Sequence, residues 1–272
     1  MYITAHEVSL GGESLRDIDD RIIVNGISCD AAKYTESAAT AFGRPGQRRA
    51  GRHRDYMDVT VNFSIRIKKT DMAERAAVWE QVMTWAARAW NGAWLTSEQR
   101  EGRRIWVTVQ QLPAEGDQWE WATVYSIVFR SLGIAAWQDA RAISLTAENH
   151  TSGTKALRVS GNDRTVMNFT YLNTSGNTCD TITISTGTAE MQFSGLGILA
   201  GETFQISHTE EGLLRIRICS TGGVWRSAMG ARIANGTYQS ADDLWISPGA
   251  QSVTVTAERA GTITMESCGR WL

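Results

Sequence analysis

The sequence predicts a mainly β protein: an α+β first domain, built as a β-sandwich with one helix and a long projecting hairpin, then a β-sandwich or jelly roll. Three observations carry this reading. One stretch, Asp71–Trp90, has helical periodicity. The segments around it alternate apolar and polar residues with the period of two that marks a half-buried strand. From Ala140 on, Thr, Ser and Gly become dense and no helical period recurs. Short alternating runs there are spaced about 8–12 residues apart, as in sandwiches and jelly rolls. The change of texture divides the chain into residues 1–137 and 138–272. A length of 272 residues suits two domains, at about 100–200 residues each.

In the first domain, Arg21–Ile27 reads as a strand running into an Asn-Gly turn. Lys33–Thr40 is weakly strand-like, and Phe42–Arg54 is Gly- and Arg-rich without an acidic residue. Val59, Val61, Phe63, Ile65 and Ile67 then fall on one face of a strand. A loop between two extended arms is the pattern of a long hairpin over about 33–68, whose polar tip cannot bury itself in its own domain. In the helix, Met72, Ala76, Trp79, Met83, Ala86 and Trp90 recur at steps of three and four, so they form the expected buried stripe. Asp71 and Glu74 mark its start, near the unpaired N–H groups of the first turn. Asn91-Gly92 marks its stop. Ala93–Ser97 and Arg104–Leu112 read as a hairpin, Pro113–Gln118 as a turn, and Glu120–Arg130 as a strand apolar on both faces, hence central or covered.

In the second domain the expected strands include Ile143–Thr146, Ala156–Val159, Val166–Tyr171, Thr203–Ser207, Leu213–Cys219, Ser252–Ala257 and Thr262–Glu266. Glycines punctuate them.

Composition excludes several classes. The formal charge of −2 gives the chain no nucleic-acid or membrane signature. No run approaches the roughly 20 apolar residues that span a bilayer. The start, MYITAHEVSLGGESL, lacks the basic and apolar regions of a secretory signal, so the expected compartment is a reducing cytosol. Cys29, Cys179, Cys219 and Cys268 are scattered, with no CxxC pair; they read as small buried hydrophobes, with a C-terminal disulfide left open. Eleven tryptophans, seven of them between Trp79 and Trp121, predict a wide aromatic core or a buried interface around the helix.

No catalytic constellation emerges, and no cofactor or metal site is expected. His6, His53, His150 and His208 stand at no metal-ligand spacing. Gly195-Leu196-Gly197 lacks the third glycine and the strand-to-helix context of a dinucleotide site. Glu210-Glu211 and Asp242-Asp243 read as solvated turns. Arg44, Arg48, Arg49, Arg52 and Arg54 form a cationic stretch open to three readings: phosphate contact, a solvated loop, or an arm whose arginines meet acids on a neighbouring subunit. The last is favoured. Trp225, Trp245 and Trp271 are either core and contact residues or stacking platforms for a saccharide.

Several stretches carry a family likeness. Phe42-Gly43-Arg44-Pro45-Gly46 leads into the arm; Val59–Ile67, the helix and the strands to Arg130 follow in order. Ala135-Ala136-Trp137 closes the first domain. Asp243-Leu244-Trp245-Ile246-Ser247-Pro248-Gly249, two strands and Arg270-Trp271 end the chain. In this order of elements the sequence resembles the siphophage distal tail proteins, structural proteins of long non-contractile phage tails. It departs from them at Ala135-Ala136, where the family often has Asp-Pro. The resemblance implies a belt hairpin, a galectin-like second domain, and no enzymatic activity. It also implies a homo-oligomer, a ring of six, joining the tail tube protein to the tail-tip hub and receptor-binding proteins. A host-surface saccharide is a candidate ligand of the second domain; neither a membrane nor a specific nucleic acid is implied as a partner. The expected location is the virion, at the tail tip, after assembly in the bacterial cytoplasm. The alternative is a carbohydrate-binding protein acting through the C-terminal sandwich.

Overall fold

The computed structural model describes residues 6–40, 47–233 and 243–272; for 34–40, 47–54, 114–118 and 132 it describes the backbone. The chain divides into two compact units, Met1–Trp137 and Gln138–Leu272. Both are antiparallel β structures, and the first carries the single α-helix of the described residues.

The first unit contains β1 (Val8–Leu10), β2 (Glu13–Ser14), β3 (Ile22–Cys29), β4 (Tyr34–Thr40), β5 (Gln47–Arg54) and β6 (Tyr56–Ile65). Helix α1 (Met72–Ala87), β7 (Ala93–Ser97), β8 (Arg103–Gln118), β9 (Thr123–Leu132) and the start of β10 (Trp137–Asp139) follow. The main sheet runs β2-β1-β7-β8-β9-β6-β3. Its curl comes from β8. Residues Arg104–Val107 pair with β7, while Thr108 and beyond pair with β9. One long strand thus belongs to both halves.

Strict alternation decides β6: Met57, Val59, Val61, Phe63 and Ile65 are all buried. Phe63 stacks on Tyr125 of β9 at 5.4 Å between ring centroids. The strand expected over Glu120–Arg130 is β9, and it is central, between β8 and β6. Three local expectations change. Asn25-Gly26 is not a turn; it forms a β-bulge inside β3. Pro113–Gln118 is not a turn either, because β8 continues through it with successive register shifts opposite β9. The stretch 47–54, expected as loop, is strand β5, paired with β4 from Tyr34↔Arg54 to Thr40↔Gln47. These two strands form a sheet of their own. The hairpin's second arm is therefore β5, and β6 belongs to the main sheet.

The helix forms where expected but buries a different stripe. Arg75, Val78, Val82, Trp85 and Ala86 are buried. Met72 and Trp90 are 66% and 73% exposed, and Trp79 and Met83 are half-buried. Only Ala86 is shared with the predicted face. Apolar residues surround this helix, so periodicity alone allows two stripes. The sheet selects the one whose β-branched valines and Trp85 fill its concavity. Trp85 meets Phe129 edge-on at 6.1 Å, and its Nε1 donates to the Glu13 carbonyl at 3.0 Å. Burying each such side chain contributes about 1.5–3 kcal/mol. Asp71 makes no side-chain cap bond; Glu74 instead pairs with Arg21. The helix stops before Asn91-Gly92, at Ala87 with Arg88 as its C-cap; Gly92 closes the turn that follows, where its φ is 97° and a Cβ would lie 2.5 Å from Trp106.

The second unit comprises β11 (Ile143–Val159), β12 (Thr165–Asn173), β13 (Ile182–Ser185), β14 (Glu190–Phe193), β15 (Thr203–His208) and β16 (Leu214–Cys219). The series continues with β17 (Trp225–Ser227), β18 (Arg232–Ile233), β19 (Trp245–Ile246), β20 (Gly249–Ser267) and β21 (Arg270–Trp271). The sheet order is β17-β16-β15-β12-β20-β13-β14-β18. Strand β20 plays the part that β8 plays in the first unit: Ala257 and earlier residues pair with β13, Gly261 and later ones with β12. Strand β11 follows it along nearly its whole length, with register shifts around His150. The two pairs of short strands expected there are thus two long ones. At the bend a Cβ on Gly261 would lie 2.3 Å from the Tyr171 ring. The curl brings Phe193 of β14 and Phe204 of β15 to 5.0 Å, T-shaped, and Phe169 to 6.4 Å from Phe204. These aromatics and the surrounding Ile, Val and Met side chains are the core.

Candidate functional site

The cationic arm is the first candidate. Arg48, Arg49, Arg52 and Arg54 lie on β5, in register with Ala39, Ala38, Glu36 and Tyr34 of β4. Arg44 lies outside the described residues. A shift between Ser37 and Ala38 breaks the alternation along the hairpin, so the four arginines do not follow one uninterrupted period of two. Among the described residues β4 and β5 pair only with each other.

The three tryptophans of the second unit are not assembled into one platform. Trp225 pairs with Cys219 at one end of β16, whereas His208, linked to Asp243 beside Trp245, pairs with Leu214 at the other. At about 3.3 Å per residue those ends are roughly 17 Å apart. Each ring is also engaged. The Arg217 guanidinium sits 3.8 Å over Trp225; those of Arg164 and Arg270 sit 4.7 and 5.6 Å over Trp245. Trp271 donates from Nε1 to Asp139 at 2.7 Å. Cation–π contact on a ring face competes with a sugar for that face. Beside Trp225, Arg226 is bidentate to Glu202 at 2.7 and 2.8 Å, which holds the buried Glu202 carboxyl below its usual pKa.

A buried cluster was missed from sequence. His208 Nε2 lies 2.7 Å from Asp243 Oδ1, and Nδ1 lies 2.8 Å from Asn168 Oδ1. Asp243 was expected in a solvated turn, yet its side chain is 13% exposed and that of His208 is 5%; Asp242 lies outside the described residues. Both imidazole nitrogens lie against side-chain oxygens, which fixes the ring in place. The cluster ties β12, β15 and the approach to β19 together. Its three members are 75 residues apart at the extremes, so no local motif announces it. None of the four cysteines is in a disulfide. Burial pushes the Cys29 thiol up, away from the thiolate a reactive cysteine needs. Among the described residues no three His, Cys, Asp or Glu side chains gather as metal ligands, and no helix is long and apolar enough to cross a membrane.

The surface around α1 is the remaining candidate. Met72, Arg75, Ala76, Trp79, Pro113 and Tyr125 line a cleft of about 260 Å³. Exposed Leu112, Trp119 and Trp121 belong to the adjoining β8–β9 segment. That segment is tied to the helix approach by Lys69 N donating to the Glu120 carbonyl at 2.8 Å.

No family model and no curated protein matches the chain. Solved structures do. SPP1 Dit (gp 19.1), described as a paradigm of hub adsorption apparatus in Gram-positive infecting phages, is 12% identical, with a TM-score of 0.68 over 99% of this chain and 100% of its own. A chain of the phage P2 baseplate in its activated conformation with Ca is 6% identical, with a TM-score of 0.47 over 98% of both chains. At 0.68 over both units, the likeness to the first extends to the order of the elements as well as to their class. The chain has the fold of SPP1 Dit.

Proposed function

We propose that the chain is a structural component of a long non-contractile phage or prophage tail, a ring-forming hub joining the tail tube to the tail-tip and receptor-binding apparatus. The observation that carries this is the end-to-end likeness to SPP1 Dit, a hub adsorption protein. Fold alone does not fix function, so the residues must be consistent with the role, and they are. A two-stranded arm that pairs with no other strand of the described residues is suited to reach a neighbour. A head-to-tail contact of that kind closes into a ring when its rotation allows. The function needs no turnover and no cofactor.

In this reading residues 1–137 build the ring and 138–272 form a galectin-like accessory domain that meets another tail component. Arg48, Arg49, Arg52 and Arg54, with Arg44, meet acids of the adjacent subunit. The carbohydrate-binding alternative draws less support, because the rings of Trp225 and Trp245 already carry arginines and lie apart.

The test is localisation. Antibody against the chain, applied to tails released from the encoding host, is expected to label the distal end. Six-fold rings should appear in negative-stain images of the protein mixed with its tube protein. Label absent from tail particles would overturn the reading. Deleting Gly43–Arg54, which removes β5, should leave the thermal transition of the first unit in place and abolish the rings; unchanged rings would remove the arm from the interface.

A further inference from the structure

The cleft beside α1 has an uncommon composition. Its walls are apolar: Met72, Ala76, Trp79, Pro113 and the ring of Tyr125. Arg75 also lines it, and Arg75 is only 5% exposed. Its Nη2 donates to the Ile67 carbonyl at 2.7 Å, while its Nε is buried without a hydrogen-bond partner. The guanidinium meets no carboxylate among the described residues. The nearest acid in sequence, Glu74, is committed to Arg21.

A buried charge with an unmet donor is costly, and native proteins leave few such groups without a reason. Arginine is also hard to discharge, so it cannot escape the cost by losing its proton. What satisfies it must be an acceptor, and a carboxylate is the strongest one available. The volume narrows the choice further. About 260 Å³ is below the roughly 300–1,000 Å³ of pockets that take small-molecule ligands, so the cleft suits one or two side chains. Met72 on its wall is 66% exposed, so the apolar surface continues to solvent there; exposed apolar surface of this kind marks an interaction site.

We propose that this cleft is a docking site for a segment of a partner protein in which a carboxylate side chain follows an apolar one. The apolar side chain fills the space between Trp79 and Pro113, and the carboxylate meets the part of the Arg75 guanidinium that lines the cleft. The site is separate from the β4–β5 arm and does not depend on the chain's place in a tail.

The peptides Ac-Ala-Leu-Glu-NH2 and Ac-Ala-Leu-Gln-NH2 test this on the full chain, followed by tryptophan fluorescence and by NMR. The acidic peptide should bind about tenfold or more tightly than its amide, the value of one charged hydrogen bond. Arg75→Gln should remove that preference. Should that variant fail to fold, Ala76→Trp, at an exposed helix position, fills the cleft with Arg75 intact and should abolish binding of both peptides. Equal binding of the two peptides, absence of saturable binding, or binding unaffected by Ala76→Trp would overturn the proposal. So would octanoate binding where the acidic peptide does not, since the site would then hold a lipid.

Discussion

The two faces of α1 differ in what holds them. One face, Val78, Val82 and Trp85 with Arg75, is buried on the sheet. The other, Met72, Ala76 and Trp79, borders solvent and the cleft. Both are apolar, and both satisfy steps of three and four residues. Periodicity establishes that a helix exists; the surface beneath it decides which face is core. On an apolar helix the leftover face becomes the informative one, because folding does not explain it.

The contrast can be broken by substitutions on either side. Val82→Asp places an unpaired carboxylate under the sheet and should cost of order 5 kcal/mol or more; the first unit should lose its cooperative thermal transition. Trp85→Ala should cost about 3–5 kcal/mol and leave the Glu13 carbonyl without its donor, read as a fall in denaturation midpoint. Trp79→Asp should cost only about 1 kcal/mol, since Trp79 is half-buried, and should weaken peptide binding at the cleft more than it lowers Tm. If Trp79→Asp proves as damaging as Val82→Asp, the assignment of faces is wrong.

A pH measurement sharpens the same comparison on the solvent side. Arg21 holds the Asp19 carboxyl down, to a pKa of about 2, and also pairs with Glu74 in the first turn of α1. A carboxyl depressed on folding stabilises the fold above its unfolded pKa, near 4. That contribution is lost as pH falls from there through about 2. The pair is partly solvated, so the loss should be small; Asp19→Asn should remove it from the Tm–pH curve. Smallest of all is Met72→Asp, which should change stability by no more than about 0.5 kcal/mol.

Strand β6 was legible because its alternation is strict and one face is fully buried, so a slip of one residue would expose five apolar side chains. The β7–β8 hairpin was legible for the same reason; its register, which sets Trp94 opposite Trp106, was not. Strand β5 was not: Gln47–Arg54 has no apolar alternation, and its pairing with β4 owes nothing to a buried face that sequence could display. The continuity of β11 was hidden by polar residues around Asn149, where φ is 49° and the register shifts. Of the site, the arm's charge was visible, but the Arg75 cleft was not. A single arginine inside an apolar helix reads as solvent-facing until packing buries it.

The pairing of β11 with β20 sets a timetable for biosynthesis. Ile143 pairs with Ser267 and Val159 with Gly249, so the pair closes loops of roughly a hundred residues, a slow and entropically expensive step. Because β20 also separates β12 from β13, neither half of the second unit can assume its final form until residue 267 has left the ribosome. The first unit lies wholly upstream and can fold earlier, so a nascent chain should pass through a stage in which α1 is already seated while the second unit is still unformed.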